Sequence, residues 1–119
     1  MSPHVDFFGE FVVKNFLNVI NACVQGLCQG IFKSPGHREY QELIRPLPDE
    51  HKQVIEAVTK YCAEGALNDF LFHLDKEMRK DNPRIQLIVD GEPVTLEGMK
   101  GLHSLLWGND GWISRYGKN

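Results

Sequence analysis

The stretch Lys80-Asp81-Asn82-Pro83-Arg84-Ile85-Gln86-Leu87-Ile88-Val89-Asp90-Gly91-Glu92-Pro93-Val94-Thr95-Leu96 changes its period partway through, and that change decides the fold. Up to Pro83 the apolar residues recur at helical spacing. Proline removes a backbone donor and restricts the residue before it, so the helical region ends there. Beyond it Ile85, Leu87 and Val89 alternate with Arg84, Gln86 and Ile88. Asp90-Gly91 then separates this run from Glu92–Leu96. A type I′ turn needs positive φ at both central positions, which Asp-Gly supplies, so residues 84–96 read as an antiparallel hairpin. With a two-residue loop Leu87 faces Val94 and Ile85 faces Leu96, and all four side chains fall on one face that must be covered. Pro93 cannot donate to a ladder, which marks an edge or a bulge.

Helices are available to cover that face. From Asp49 to Lys80 the pattern is helical but divides into two stripes, Val54/Val58/Tyr61 and Leu67/Phe70/Leu71/Leu74/Met78. At about 100° per residue these point nearly opposite ways on one straight helix. Gly65 lies between them, so a break there is expected to let both stripes face one core. The alternative is one long helix buried on different sides at its two ends. Asp49 and Glu50 suit a helix start.

Farther upstream, Ser2-Pro3 opens a first helix running to about Gln29, with Gly26 and Gly30 near its end. Val5, Val12, Phe16, Val19, Ile20, Cys23, Val24 and Leu27 form one broad apolar arc, with Lys14, Asn18, Asn21 and Gln25 opposite. Phe7 and Phe11 sit off that arc and are four apart, close enough to stack. Either the chain covers them from another side, the commoner outcome, or they meet a partner. Ser34-Pro35-Gly36 marks a turn, and a short helix follows over about His37 to Ile44, ended by Pro46 and Pro48.

Downstream, Leu96 to Trp107 reads as a loop and a short helix. Trp112-Ile113-Ser114-Arg115-Tyr116 has the residue types of a third strand. The expected fold is therefore α+β: about four helices packed on a small antiparallel sheet, formed by the hairpin 84–96 and a third strand at 112–116. The 119 residues, with no internal linker or repeat, read as a single globular domain, residues 1–119. A composition 42% hydrophobic and 24% charged is an ordinary globular balance.

The net charge of −3, from 13 basic and 16 acidic residues, argues against nucleic-acid binding. The densest basic run, Lys76, Arg79, Lys80 and Arg84, is interrupted by Asp75, Glu77 and Asp81. Met1-Ser2-Pro3-His4 lacks the basic region of a secretion signal. Asp6, Glu10 and Lys14 interrupt the apolar stretch that follows, which reads as excluding a membrane span. Cys23, Cys28 and Cys62 form no C-x-x-C and read as reduced thiols in the cytoplasm.

Motifs that carry chemistry are sparse. There is no phosphate cradle, dinucleotide fingerprint, nucleophile elbow or H-E-x-x-H, and no cofactor is implied. Asp69, His73 and Glu77 share one side of a helix in a spacing that could ligate a divalent metal. They also lie opposite an apolar stripe, as a solvated face would, and no metal site is assigned. The densest constellation is Gly101-Leu102-His103-Ser104-Leu105-Leu106-Trp107-Gly108-Asn109-Asp110-Gly111-Trp112-Ile113. Trp107 and Trp112 could wall a pocket, with His103, Asp110 and Arg115 as its orienting polar groups. Alternatively both indoles close the core and Asp110 serves the turn.

The segment GLHSLLWGNDGWISRYGK resembles the C-terminal GLH…G-x-D/E-GW stretch of a group of small bacterial proteins, and the preceding LNDFLFHLDKE is similar too. The likeness spans roughly residues 45–118. It implies a bacterial, cytoplasmic setting and carries no assigned reaction. Together these features point to a non-enzymatic protein-binding or accessory module of the immunity type. Phe7 and Phe11 are its interface candidates, and the first helix is a route to self-association. The competing expectation is a small-molecule binder or minor enzyme built on the C-terminal Trp/His pocket, with His103 as acid or base.

Overall fold

The computed structural model of the chain describes residues 2–96, 98 and 100–118. Residues 1, 97, 99 and 119 lie outside the described residues, and with them part of the expected loop after Leu96.

The first helical rod has three parts: α1 (Pro3–Val12), one π-helical turn (Val13–Leu17) and α2 (Asn18–Gln29). Pro3 occupies the first turn, where its missing N–H is no loss. Gly30 ends the rod in the left-handed conformation, φ 72°, and its N–H donates to Gly26 O at 2.8 Å. The π turn holds one more residue than an α turn, so it sets the phase of everything after it back by about 100°. This corrects the expected arc. Val5, Gly9, Val13, Leu17 and Val24 are buried, whereas Phe16 and Val19 point outward.

The charges expected to exclude a membrane span all fall in the first half of the rod. The helix Pro3–Gln29, with a mean hydropathy of 1.3 over its most apolar window, is long and apolar enough to cross a bilayer by length and composition. Within that window 22% is buried, Val13, Leu17 and Val24 among it, so the three charges do not exclude a span as the sequence led one to expect.

Helix α3 (Pro35–Ile44) packs on α2, and Gln41 fastens the turn between them. Its amide bonds both backbone groups of Phe32: Phe32 N–H donates to Oε1 at 2.7 Å, and Nε2 donates to Phe32 O at 2.9 Å. Helix α4 (Asp49–Met78) is continuous through Gly65, so the expected break is absent. A glycine inside a helix costs about 1 kcal/mol relative to alanine, too little to break 30 residues held by α2 along the first half and by the 3₁₀ turn and core along the second. The two stripes of α4 therefore do face opposite ways. Leu67, Leu71 and Met78 enter the core, while Val54, Val58 and Tyr61 face outward, Tyr61 at 80% exposure.

The hairpin forms in the expected register, but its strands are two residues each rather than spanning 84–96, and the expected pairing of Ile85 with Leu96 is outside the ladder. Strands β1 (Ile88–Val89) and β2 (Glu92–Pro93) pair antiparallel, with Ile88 opposite Pro93, and Val94 N–H donates to Leu87 O at 2.9 Å. Asp90 and Gly91 take φ of 52° and 78°, the two positive values of the turn. Val94 is fully buried, and Leu87 and Leu96 pack against the core, but Ile85 is half exposed. A 3₁₀ turn (Leu102–Leu106) follows.

The expected third strand is instead a short helix, α5 (Trp112–Tyr116). Ser114 Oγ donates to Gly108 O at 2.7 Å and Arg115 N–H to Gly111 O at 3.1 Å, winding the turn. Trp112, Ile113 and Tyr116 share its inner side, a helical rather than an alternating set. The architecture is thus α+β, helices with one two-stranded antiparallel sheet.

Its core is small and lies where α1, the π turn, the second half of α4, the 3₁₀ turn and α5 meet. The molecule is extended, with a radius of gyration of 17.3 Å, against about 13.5 Å for a compact domain of this length. It exposes 8283 Å², against about 6,600 Å² for a compact monomer of 13.6 kDa.

Candidate functional site

The five C-terminal residues singled out in the sequence have separate partners. Trp112 is fully buried, with its indole against the backbone of Gly9 and Phe8 edge-on at 6.1 Å. It closes the core rather than walling a pocket, and its Nε1 has no hydrogen-bond partner among the described residues. Trp107 lies at the surface, where Nε1 donates to Asn68 Oδ1 at 2.8 Å. His103 stands edge-on to Phe72 at 5.2 Å, its Nδ1 buried without a hydrogen-bond partner. Asp110 is exposed beside the turn that Gly111 closes onto Gly108 O.

Arg115 ties the end of the chain to its beginning. Its guanidinium donates to both carboxylate oxygens of Asp6, and Tyr116 Oη donates to Asp6 Oδ2 at 2.7 Å. The hydrogen bond from Arg115 comes first among the causes that hold the Asp6 carboxyl below its ordinary range, against a smaller opposing effect of burial. The same contact raises Arg115, and Asp6 raises the Tyr116 phenol. Asn18 completes the clasp: Nδ2 donates to Tyr116 O at 3.0 Å, and Oδ1 accepts from Lys118 N–H at 3.0 Å.

Asp69, His73 and Glu77 do not converge. Glu77 accepts from Lys80 at 2.8 Å and from Arg84 N–H at 3.1 Å, contacts that lower its pKa. His73 instead meets the ring of Phe72. Among the described residues no group of three or more His, Cys, Asp or Glu could hold a metal ion. Cys23 and Cys28 are half buried, and burial pushes the Cys28 thiol up; Cys62 is exposed rather than packed.

A second polar hub, within the run read only as a mixed-charge surface, holds the loop after the hairpin. Asp75 is buried and accepts from Arg79 Nε at 2.6 Å and from Leu102 N–H at 3.3 Å. Arg79 then donates to the carbonyls of Leu96, Gly98 and Lys100 at 2.6, 2.9 and 2.8 Å. All five of these contacts fix backbone or a neighbouring side chain, so the hub positions structure.

The open feature lies on the other side of the molecule. Phe8, Phe11 and Val12 of α1, Phe16 of the π turn, Leu67, Phe70, Leu71 and Leu74 of α4, and Ile85 and Leu87 before the turn line a groove of about 650 Å³. Asn15 and Gln86 are its only polar side chains among the described residues. Phe11 is 55% exposed and Phe70 60%. Phe7 is also exposed and stacks on Phe11 at a centroid distance of 6.4 Å, so the cover expected from within the chain is absent at both rings. Phe8, Phe11, Val12, Asn15 and Phe16 follow at i, i+3, i+4, i+7 and i+8, one stripe of the rod. The off-arc position of Phe11 was the local clue to the site; Phe70 and Ile85 gave none, because each reads as a core residue in its own segment.

Such a surface can seat apolar side chains and hold them away from water. Among the described residues its lining holds no charged group, nucleophile or base. No protein-family model matches the sequence, no curated protein matches it, and no solved structure matches its fold.

Proposed function

We propose that the chain is a non-enzymatic protein-binding module, an accessory protein of the immunity type, that seats an amphipathic helix of a partner in the groove between α1, α4 and the hairpin. The observation that carries this reading is the groove's lining: eleven apolar side chains, Ala66 among them, from three elements, several half exposed, around two uncharged amides. Monomeric proteins seldom leave contiguous apolar surface of this kind open, because covering it is favourable by about 25 cal/mol per Å². A partner helix would present large apolar residues at i, i+3 or i+4 and i+7, with its charged face turned to solvent. In this reading the partner is met in the bacterial cytoplasm, the setting that the C-terminal resemblance implies.

The volume also falls in the range of about 300–1,000 Å³ that suits a small apolar ligand. Selecting amphipathic helical peptides from a random library against the full chain separates the two. Peptide binders that are lost on Phe70→Asp, with circular dichroism unchanged, support the proposal. Failure to recover any binder, or binders indifferent to Phe70→Asp, overturns it.

A further inference from the structure

A second exposed face lies on the outer side of α4, away from the groove's floor; Val54, Val58 and Tyr61 are open there, while Phe72 also touches His103 and Lys76 and Asn68 holds Trp107. Val54, Val58, Tyr61, Gly65, Asn68 and Phe72 follow one another at intervals of four, three, four, three and four. This is the alternating spacing of a coiled-coil seam. Val54, Val58, Tyr61 and Phe72 are all exposed, and the helix that carries them is unbroken.

Gly65 has no internal explanation. Gly9 and Gly26 each carry an aromatic ring where a Cβ would stand, whereas Gly65 has nothing within 4 Å of that position. Its helix-breaking tendency is accepted with no internal close approach in return. Over it lies a hollow of about 430 Å³, bounded by Tyr61, Glu64, Asn68, Asp69 and Trp107.

We propose that this face is a two-fold interface between two copies of the chain, with the α4 helices antiparallel and crossing at residue 63. The seam is self-complementary about that point. Tyr61 meets Gly65 of the second copy, a large ring on bare backbone. Val54 meets Phe72, and Val58 meets Asn68, whose amide already holds the exposed Trp107. An antiparallel coiled coil needs such pairing of the two alternating seam positions, and a two-fold axis delivers each contact twice. The whole molecule exposes on the order of 1,700 Å² more than a compact monomer, an excess this face shares with the groove, and a stable interface covers roughly 800 Å² per partner.

This proposal is independent of the groove, and sedimentation equilibrium of the full chain at micromolar concentration tests it. The expected mass is twice 13.6 kDa. Gly65→Leu should give a monomer with helicity kept or raised, because leucine is the better helix former and the position is open within one copy. Phe11→Asp, in the groove, should leave the dimer intact. Exposed Cys62 lies one residue from the axis, so a short bis-maleimide should link two copies through it in a Cys23→Ser/Cys28→Ser background. A monomeric wild-type chain, a dimer that survives Gly65→Leu, or a dimer lost on Phe11→Asp overturns the interface.

Discussion

The indole of Trp112 packs directly on the backbone of Gly9, two residues far apart in sequence, and leaves no room for a Cβ. This contact joins the first helix to the last and seats the largest fully buried side chain of the core. Gly9→Ala should therefore destabilise the fold by about 1–3 kcal/mol, the usual cost of overpacking. Urea denaturation should show a lower midpoint with an unchanged m value.

Arg79 joins the end of α4 to the loop after the hairpin through three carbonyls and buried Asp75. Arg79→Ala leaves that carboxylate without its cation and should cost about 2–3 kcal/mol, reduced from a fully buried pair because the guanidinium is partly exposed. Arg79→Lys should recover little, since one ammonium cannot reproduce the fork. Faster hydrogen exchange at the Leu102 amide in both variants is the accompanying sign.

The Asp6 clasp gives stability a defined pH dependence. Its carboxyl is held below the ordinary value of 3.8, so it contributes stability that is complete above that value and is lost as pH falls through the lowered one. Tyr116 is raised above its ordinary 10.0, so its contribution is present below that value and is lost as pH rises through the raised one. Asp6→Asn should flatten the acid limb of a stability-against-pH curve and Tyr116→Phe the alkaline limb. Melting temperatures across the range check both.

At the hairpin, Gly91 sits at φ 78° with open space around it. Gly91→Ala should cost about 1 kcal/mol from backbone strain alone, whereas Asp90→Asn should be neutral. Thermal denaturation distinguishes the two.

These elements differ in how plainly the sequence announced them. The hairpin was legible because its signals are local: alternation, Asp-Gly and the proline before it. The segment at Trp112–Tyr116 was not. Its aromatic and β-branched residues carry strand propensity, but the bonds of Ser114 and Arg115 to Gly108 and Gly111 and the distant seat at Gly9 decide it as a helix. Gly65 suggested a break that a continuous helix overrides, although the opposed stripes themselves were read correctly. The π turn left no mark in the pattern and displaced the buried face of the first helix by one residue. The groove needs three elements brought together, so only Phe11, off its arc, hinted at it.

Whether the groove meets a protein can be measured directly. A photo-reactive phenylalanine placed at Phe16 in the full chain, with exposed Arg38 on α3 as the control position, measures this in the cells that make it. The expected result is a discrete protein adduct from position 16, absent from position 38 and abolished when Phe70→Asp is added. No adduct from position 16, or the same adducts from both positions, would contradict a groove built to seat a partner.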